Sequence, residues 1–321
     1  MKRISTVVLA LLLFATACGD TGSASEQTGD RTPATSNDDG TTGEQGGAET
    51  GAETGAETAS GSAETAEAPL RIVSLSPTAT EMLFAVGAGD LVVAVDQYSD
   101  YPDEAPVTDL DGFSPNVEAI AAYEPDIVVM VSGGDVQAGL EALGIEVLVQ
   151  DAATSLDDTF AQILEIGEVT GHSSDARTVV SRMQTEIESL IAGAPDATGL
   201  SYFHELDPTL YSVTSTTFVG AVYALFGLEN VADPADADGS AFGYPQLSDE
   251  YLIDTDPDLI FLADTLCCGQ DASTVAERPA WEQLRAVQNG NVIELSDDTA
   301  SRWGPRIVEF IAAISEAVRN L

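Results

Sequence analysis

Two segments about 130 residues apart follow one pattern: NVEAIAAYEPDIVVM over 116–130 and SDEYLIDTDPDLIFL over 248–262. In each, a short helical stretch runs into Pro-Asp and then an apolar strand, and a glutamate stands seven residues before the proline, Glu118 before Pro125 and Glu250 before Pro257. Pro-Asp ahead of a buried strand is also ordinary turn chemistry. The matched offset nevertheless predicts two similar α/β lobes, each presenting one acid from an equivalent place. Such a pair suits docking onto a two-fold symmetric partner.

The rest of the pattern agrees with a β/α alternation. Arg71 to Ser76 alternates as a strand, Pro77 breaks it, and Thr78 with Glu81 has the spacing of a capping box ahead of an apolar helix ending near Gly87. Strands are expected at 91–95, 127–131 and 147–149, with a helix opening at Ser114-Pro115. Strand and helix in alternation mean parallel sheets covered on both faces. From 155 to 192 the apolar residues fall at helix spacing throughout, so a helical bridge over 156–195 joins a lobe at 69–155 to one at 196–321. The second lobe has expected strands at 201–205, 259–263 and 292–295 and helices at 218–225, 248–254 and 306–320.

The N-terminal segment has the form of an export signal. Lys2 and Arg3 precede the apolar run 7–14 and Ala15-Thr16-Ala17 leads to Cys18. The run falls well short of the ~20 apolar residues that a span requires. A cysteine directly after the A-x-A sequence resembles a bacterial lipoprotein signal, although Ala15 replaces the usual leucine. Residues 1–17 would then be removed and Cys18 acylated, anchoring the chain to the outer face of the cytoplasmic membrane. Residues 19–68 are rich in Gly, Ala, Thr, Ser and Glu, with GAET repeated over 47–58. They lack the apolar surface to offset ordering entropy and read as a disordered tether.

Charge excludes one class of partner. Of 54 acidic and 11 basic residues, 11 and 3 fall within 1–68, leaving 43 and 8 on residues 69–321. Nucleic acid needs basic grooves and is not an expected partner. Cys267 and Cys268 are adjacent, closer than ordinary disulfide geometry permits, which leaves both a vicinal disulfide and two thiols open. The only histidines are His172, at a helix end, and His204, at a strand end that could face a cleft. Neither makes a metal-ligand cluster or a nucleophile-base pair, so no enzyme chemistry, resident metal or permanent cofactor is expected.

Six segments, in order, resemble the substrate-binding proteins of ABC importers for cobalamin and iron-siderophore complexes: RIVSLSPTATEMLFAVGAGDLVVAVDQYSDYP (71–102), EPDIVVM (124–130), LYSVTSTTFVGAVYALFGLENVAD (210–233), YPQLSDEYL (244–252), RPAWEQLRAVQNGNVIEL (278–295) and GPRIVEF (304–310). The resemblance implies a class III periplasmic-binding-protein fold: two Rossmann-like lobes joined by a long rigid helix, ligand held between them, and little closure. It also implies that Glu118 and Glu250 pair with arginines of a permease dimer served by its ATPase. Tyr98, Phe113 and Tyr244 match or lie near cleft aromatics of cobalamin binders. Arg302 and Trp303 fall in a loop near the cleft mouth, and His204 is a further cleft candidate. Val131 stands where cobalamin binders can carry an aromatic, a departure from that pattern.

The expected protein is thus a monomeric, membrane-anchored receptor for a metal chelate, an iron-siderophore or a corrinoid. The acidic surface favours a neutral or cationic ligand over an anionic one. A sensory or adhesive lipoprotein on the same fold, or an extracellular enzyme, are the competing expectations.

Overall fold

The computed structural model describes residues 69–321. The signal segment, Cys18 and the tether lie outside the described residues.

Two all-parallel sheets organise the chain. The first takes β1 (Ile72–Leu75), β2 (Val92–Asp96), β3 (Val107–Leu110), β4 (Ile127–Met130) and β5 (Glu146–Val149) in the order β3-β2-β1-β4-β5. Its connections carry α1 (Pro77–Ala85), α2 (Val117–Ala121) and α3 (Gly134–Ala142). The second takes β6 (Ser201–Glu205), β7 (Glu229–Asn230), β8 (Leu259–Leu262) and β9 (Val292–Glu294) in the order β7-β6-β8-β9. Between the sheets in sequence run α4 (Leu156–Val169) and α5 (Ser173–Gly193). The second lobe adds α6 (Phe218–Ala224), α7 (Asp249–Thr255), α8 (Thr265–Cys268), α9 (Ala272–Ala276), α10 (Arg285–Asn289) and the closing α11 (Ile307–Arg319).

Strand parity sorts the core. Ile72, Ile127 and Val129 face inward with Tyr202, Leu259 and Phe261 of the other sheet, and α4, α5 and α11 fill the space between, so one apolar core runs through both lobes. The alternate residues build separate outer cores, Val73, Leu75, Val128 and Met130 in the first lobe and Phe203, Ile260 and Leu262 in the second. Each large side chain so buried contributes about 1.5–3 kcal/mol relative to exposure. A shared core of this kind opposes wide opening of the lobes, because opening would expose it to water.

The structure corrects several boundaries. The helical region between 155 and 192 is two helices, broken at Gly171, whose φ of +76° suits a residue without Cβ. The 21-residue α5 is the long connecting helix, and α11 returns along it, with Ser315 Oγ donating to Leu190 O at 2.9 Å. Helix α1 is capped by Ser76, which accepts from Ala79 N–H, with Pro77 as first residue. Thr78 and Glu81 are therefore inside the helix and buried, not a capping box. Helix α2 is capped by Asn116 rather than Ser114.

Candidate functional site

The duplicated pattern recurs in both lobes. Asn116 and Ser248 cap α2 and α7 by accepting from the N–H of Ala119 and Tyr251. Glu118 and Glu250 are each the second residue of their helix, and both are exposed. The residue before each proline is left-handed, Glu124 at φ 48° and Asp256 at φ 46°. The aspartate that follows each proline then ties to the first strand of its sheet. Asp126 Oδ2 accepts from Arg71 N–H at 2.8 Å, and Asp258 Oδ2 accepts from Ser201 N–H at 2.9 Å. An arginine locks each turn: Arg71 donates to Tyr123 O and Glu124 O, and Arg285 to Asp256 and Asp258. A crossover helix runs against its parallel strands, which puts its N-terminus at their carboxyl edge, so each glutamate stands at that edge of its own sheet. There a carboxylate also favours the helix dipole.

The carboxyl edge of the first sheet carries an exposed aromatic pair. Tyr98 is 43% and Phe113 is 71% exposed, with ring centroids 5.1 Å apart in an edge-to-face arrangement. Carboxylates order both loops: Asp96 accepts from Tyr98 N–H and Asp111 from Phe113 N–H. A Cβ on Gly112 would stand 2.2 Å from Asp96 Oδ2 and 2.9 Å from Leu75 O, so only glycine lets this turn close. Burial pushes the Asp96 carboxyl above its usual range. In the second lobe Tyr244 is 45% exposed, in a segment where Ala241 N–H and Gly243 N–H donate to Asp236. Phe242 and Tyr211, which sequence reasoning passed over, are exposed beside it.

Arg302 and Trp303 join the lobes. Arg302, reaching from the second lobe, donates to Glu81 Oε1 at 3.0 Å and to Tyr98 O at 3.4 Å, and pairs with Asp298 and Asp100. Arg306 approaches the same Glu81 oxygen at 3.6 Å and lies over the Tyr101 ring at 4.2 Å. Burial raises the Glu81 carboxyl above its ordinary value, against the lowering effect of Arg302 and Arg306. Trp303 packs against the shared core and its indole N–H donates to Gln162 on α4 at 2.9 Å. Sequence reasoning missed Glu81 because its spacing from Thr78 imitates a cap.

His204 is not a cleft residue. It lies on β6 with the parity of Tyr202, which turns it into the shared core, fully buried with Nδ1 2.8 Å from Tyr223 Oη. Burial lowers its pKa to about 3, so the ring is neutral. Its neighbour Glu205 faces the other way and is gripped by both Arg278 terminal nitrogens, at 2.6 and 2.5 Å. Asp264, after β8, is equally buried, and burial followed by the Glu205 charge pushes its pKa up to about 7. The same β6 parity that turns His204 inward could have found Glu205.

This is the architecture of a bilobal binding protein, and residues 72–299 match the periplasmic binding protein family, to which the chain belongs. An ABC transporter substrate-binding lipoprotein of Bacillus subtilis is 30% identical over 78% of this chain and 80% of its own length. A cobalamin-binding protein of Halobacterium salinarum is 30% identical over 78% of this chain and 70% of its own. Among solved structures, the periplasmic vitamin B12 binding protein of Vibrio cholerae is 24% identical, with a TM-score of 0.62 over 77% of this chain and 96% of that one. A periplasmic heme-binding protein from Roseiflexus is 22% identical, with a TM-score of 0.66 over 78% and 98%. Both share the fold. These relatives are named as binding proteins, the first as the substrate-binding lipoprotein of an ABC transporter.

Proposed function

We propose that the chain is an extracytoplasmic, lipid-anchored receptor that captures a neutral metal chelate of the corrinoid type between its lobes and delivers it to an ABC permease dimer. The observation that carries the ligand class is the pairing of exposed aromatics with spent arginines. Tyr98 and Phe113 offer apolar ring surface to a large planar ligand, with Tyr244 on the opposite lobe. Arg302, Arg306 and Arg278 are all engaged by carboxylates of the protein itself. An anionic siderophore or a propionate-bearing heme would have to break one of those pairs, within a fold carrying 43 acids and 8 bases.

The relatives named for cobalamin support the same choice. Glu118 and Glu250 serve as docking points for basic residues of the two permease subunits. Arg302 and Trp303 then border the ligand while holding the lobes at a fixed angle. No covalent step is part of this function. Equilibrium titration with cyanocobalamin, heme and a panel of ferric siderophores tests it. Micromolar or tighter binding of the corrinoid is expected; such affinity for an anionic chelate with none for the corrinoid would overturn it.

A further inference from the structure

We propose that Cys267 and Cys268 form a two-thiol site for a soft, thiophilic centre of low coordination number, such as trivalent arsenic. Both cysteines are exposed and unbonded, in the short α8 just beyond the carboxyl end of β8. Their turn is fixed from beneath. Asp297 accepts from Leu266 N–H at 3.0 Å, Cys267 N–H at 2.8 Å and Thr265 Oγ1 at 3.0 Å, and Thr265 also donates to Leu295 O at 2.7 Å.

Geometry favours a bridging atom over a disulfide. Adjacent Cα atoms are about 3.8 Å apart, below the roughly 4.4–6.8 Å usual for a disulfide. An atom bonded to both sulfurs at about 2.3 Å, as zinc bonds thiolate, spans a wider gap than an S–S bond of about 2.05 Å and so suits neighbouring residues better.

Burial, the second thiol and the Asp297 carboxylate raise the Cys267 thiol above its usual range, so it reacts as a protonated thiol and gives up its proton as the new bond to sulfur forms. The same carboxylate attracts an electron-poor centre.

The donor set limits that centre. Among the described residues no group of three His, Cys, Asp or Glu side chains is placed to hold a metal ion, so a four-coordinate ion such as zinc is undersupplied. A three-coordinate arsenical that brings its own third substituent needs two sulfurs and no more. With phenylarsine oxide, two As–S bonds replace the As–O bond. The two S–H protons leave with the oxygen as one water, and no electrons are exchanged.

The test is intact-protein mass spectrometry of the full chain after phenylarsine oxide treatment, with Cys18 kept in every variant. One adduct per chain is expected, surviving a large excess of a monothiol and released by dithiothreitol. Cys267→Ser and Cys268→Ser should each weaken retention by about 100-fold or more, since the second bond is then no longer intramolecular. Equal retention in either single variant would overturn the proposal. So would a wild-type chain that is unreactive and lighter by two hydrogens, the mass of a closed disulfide.

Discussion

The two lobes share a skeleton and differ in what they hang on it. Strands β2, β1, β4 and β5 correspond in order to β7, β6, β8 and β9, and the cap, left-handed residue, Pro-Asp turn and strand anchor recur in both. The extra strand β3 belongs to the first lobe alone, and the loops at its two ends carry Tyr98 and Phe113. At the equivalent depth the second lobe buries charge instead, the Glu205–Arg278 pair with Asp264 beside it. What is duplicated is what two identical partners would read. What is not duplicated is what an asymmetric ligand would read.

The largest effect expected is on the charge buried in and between the lobes. Arg278→Ala strands Glu205 with no counter-ion in a fully buried site, a change costing about 3–5 kcal/mol, visible as a fall in the midpoint of denaturant unfolding. Glu81→Ala removes the interlobe partner of Arg302 and Arg306, which keep Asp298, Asp100 and Glu309, and should cost less, about 1–3 kcal/mol. If Glu81→Ala leaves stability unchanged, the interlobe clamp is ornamental and the lobes are held by the shared core alone.

Next in size, Tyr98→Ala should weaken corrinoid binding by about tenfold, near 1.4 kcal/mol, with unfolding little changed because the ring is already exposed. Equal loss on Tyr211→Ala would blur the contrast between lobes.

A separate effect is expected in pH dependence, where two groups of the second lobe oppose each other. Asp264 has a raised pKa, so its contribution to stability is complete below about pH 4 and is lost as pH rises to about 7. His204 has a depressed pKa, so its contribution is complete above about pH 6.5 and is lost as pH falls toward 3. Asp264→Asn should therefore flatten the loss of thermal stability from about pH 4 to 7, leaving the variant the more stable protein, relative to wild type, at the alkaline end. A parallel profile for the two would remove Asp264 from the account.

Much of the fold was legible because it rests on local signals. Strands β1, β4 and β8 are short, largely apolar runs bounded by turn residues, and the helix expected at 248–254 matches α7. The elements missed are those with little local pattern: β3 has four residues of mixed polarity, β7 has two, and α8, α9 and α10 have four or five each. At the site, Glu118 and Glu250 were legible because exposure and position follow from helix phase. Glu81 and His204 were misread because their roles depend on packing across the chain. Glu81 meets Arg302, 221 residues away, and His204 is turned inward by strand parity rather than by its neighbours.

The claim that the duplicated glutamates present cargo to a two-fold partner is tested most directly by uptake of labelled corrinoid in cells whose only copy of the receptor is the Glu118→Ala, Glu250→Ala double variant. The account predicts ligand binding within about twofold of wild type and uptake lost, with each single variant impaired to a similar degree. Normal uptake by the double variant, with the receptor exported and ligand bound, would contradict it.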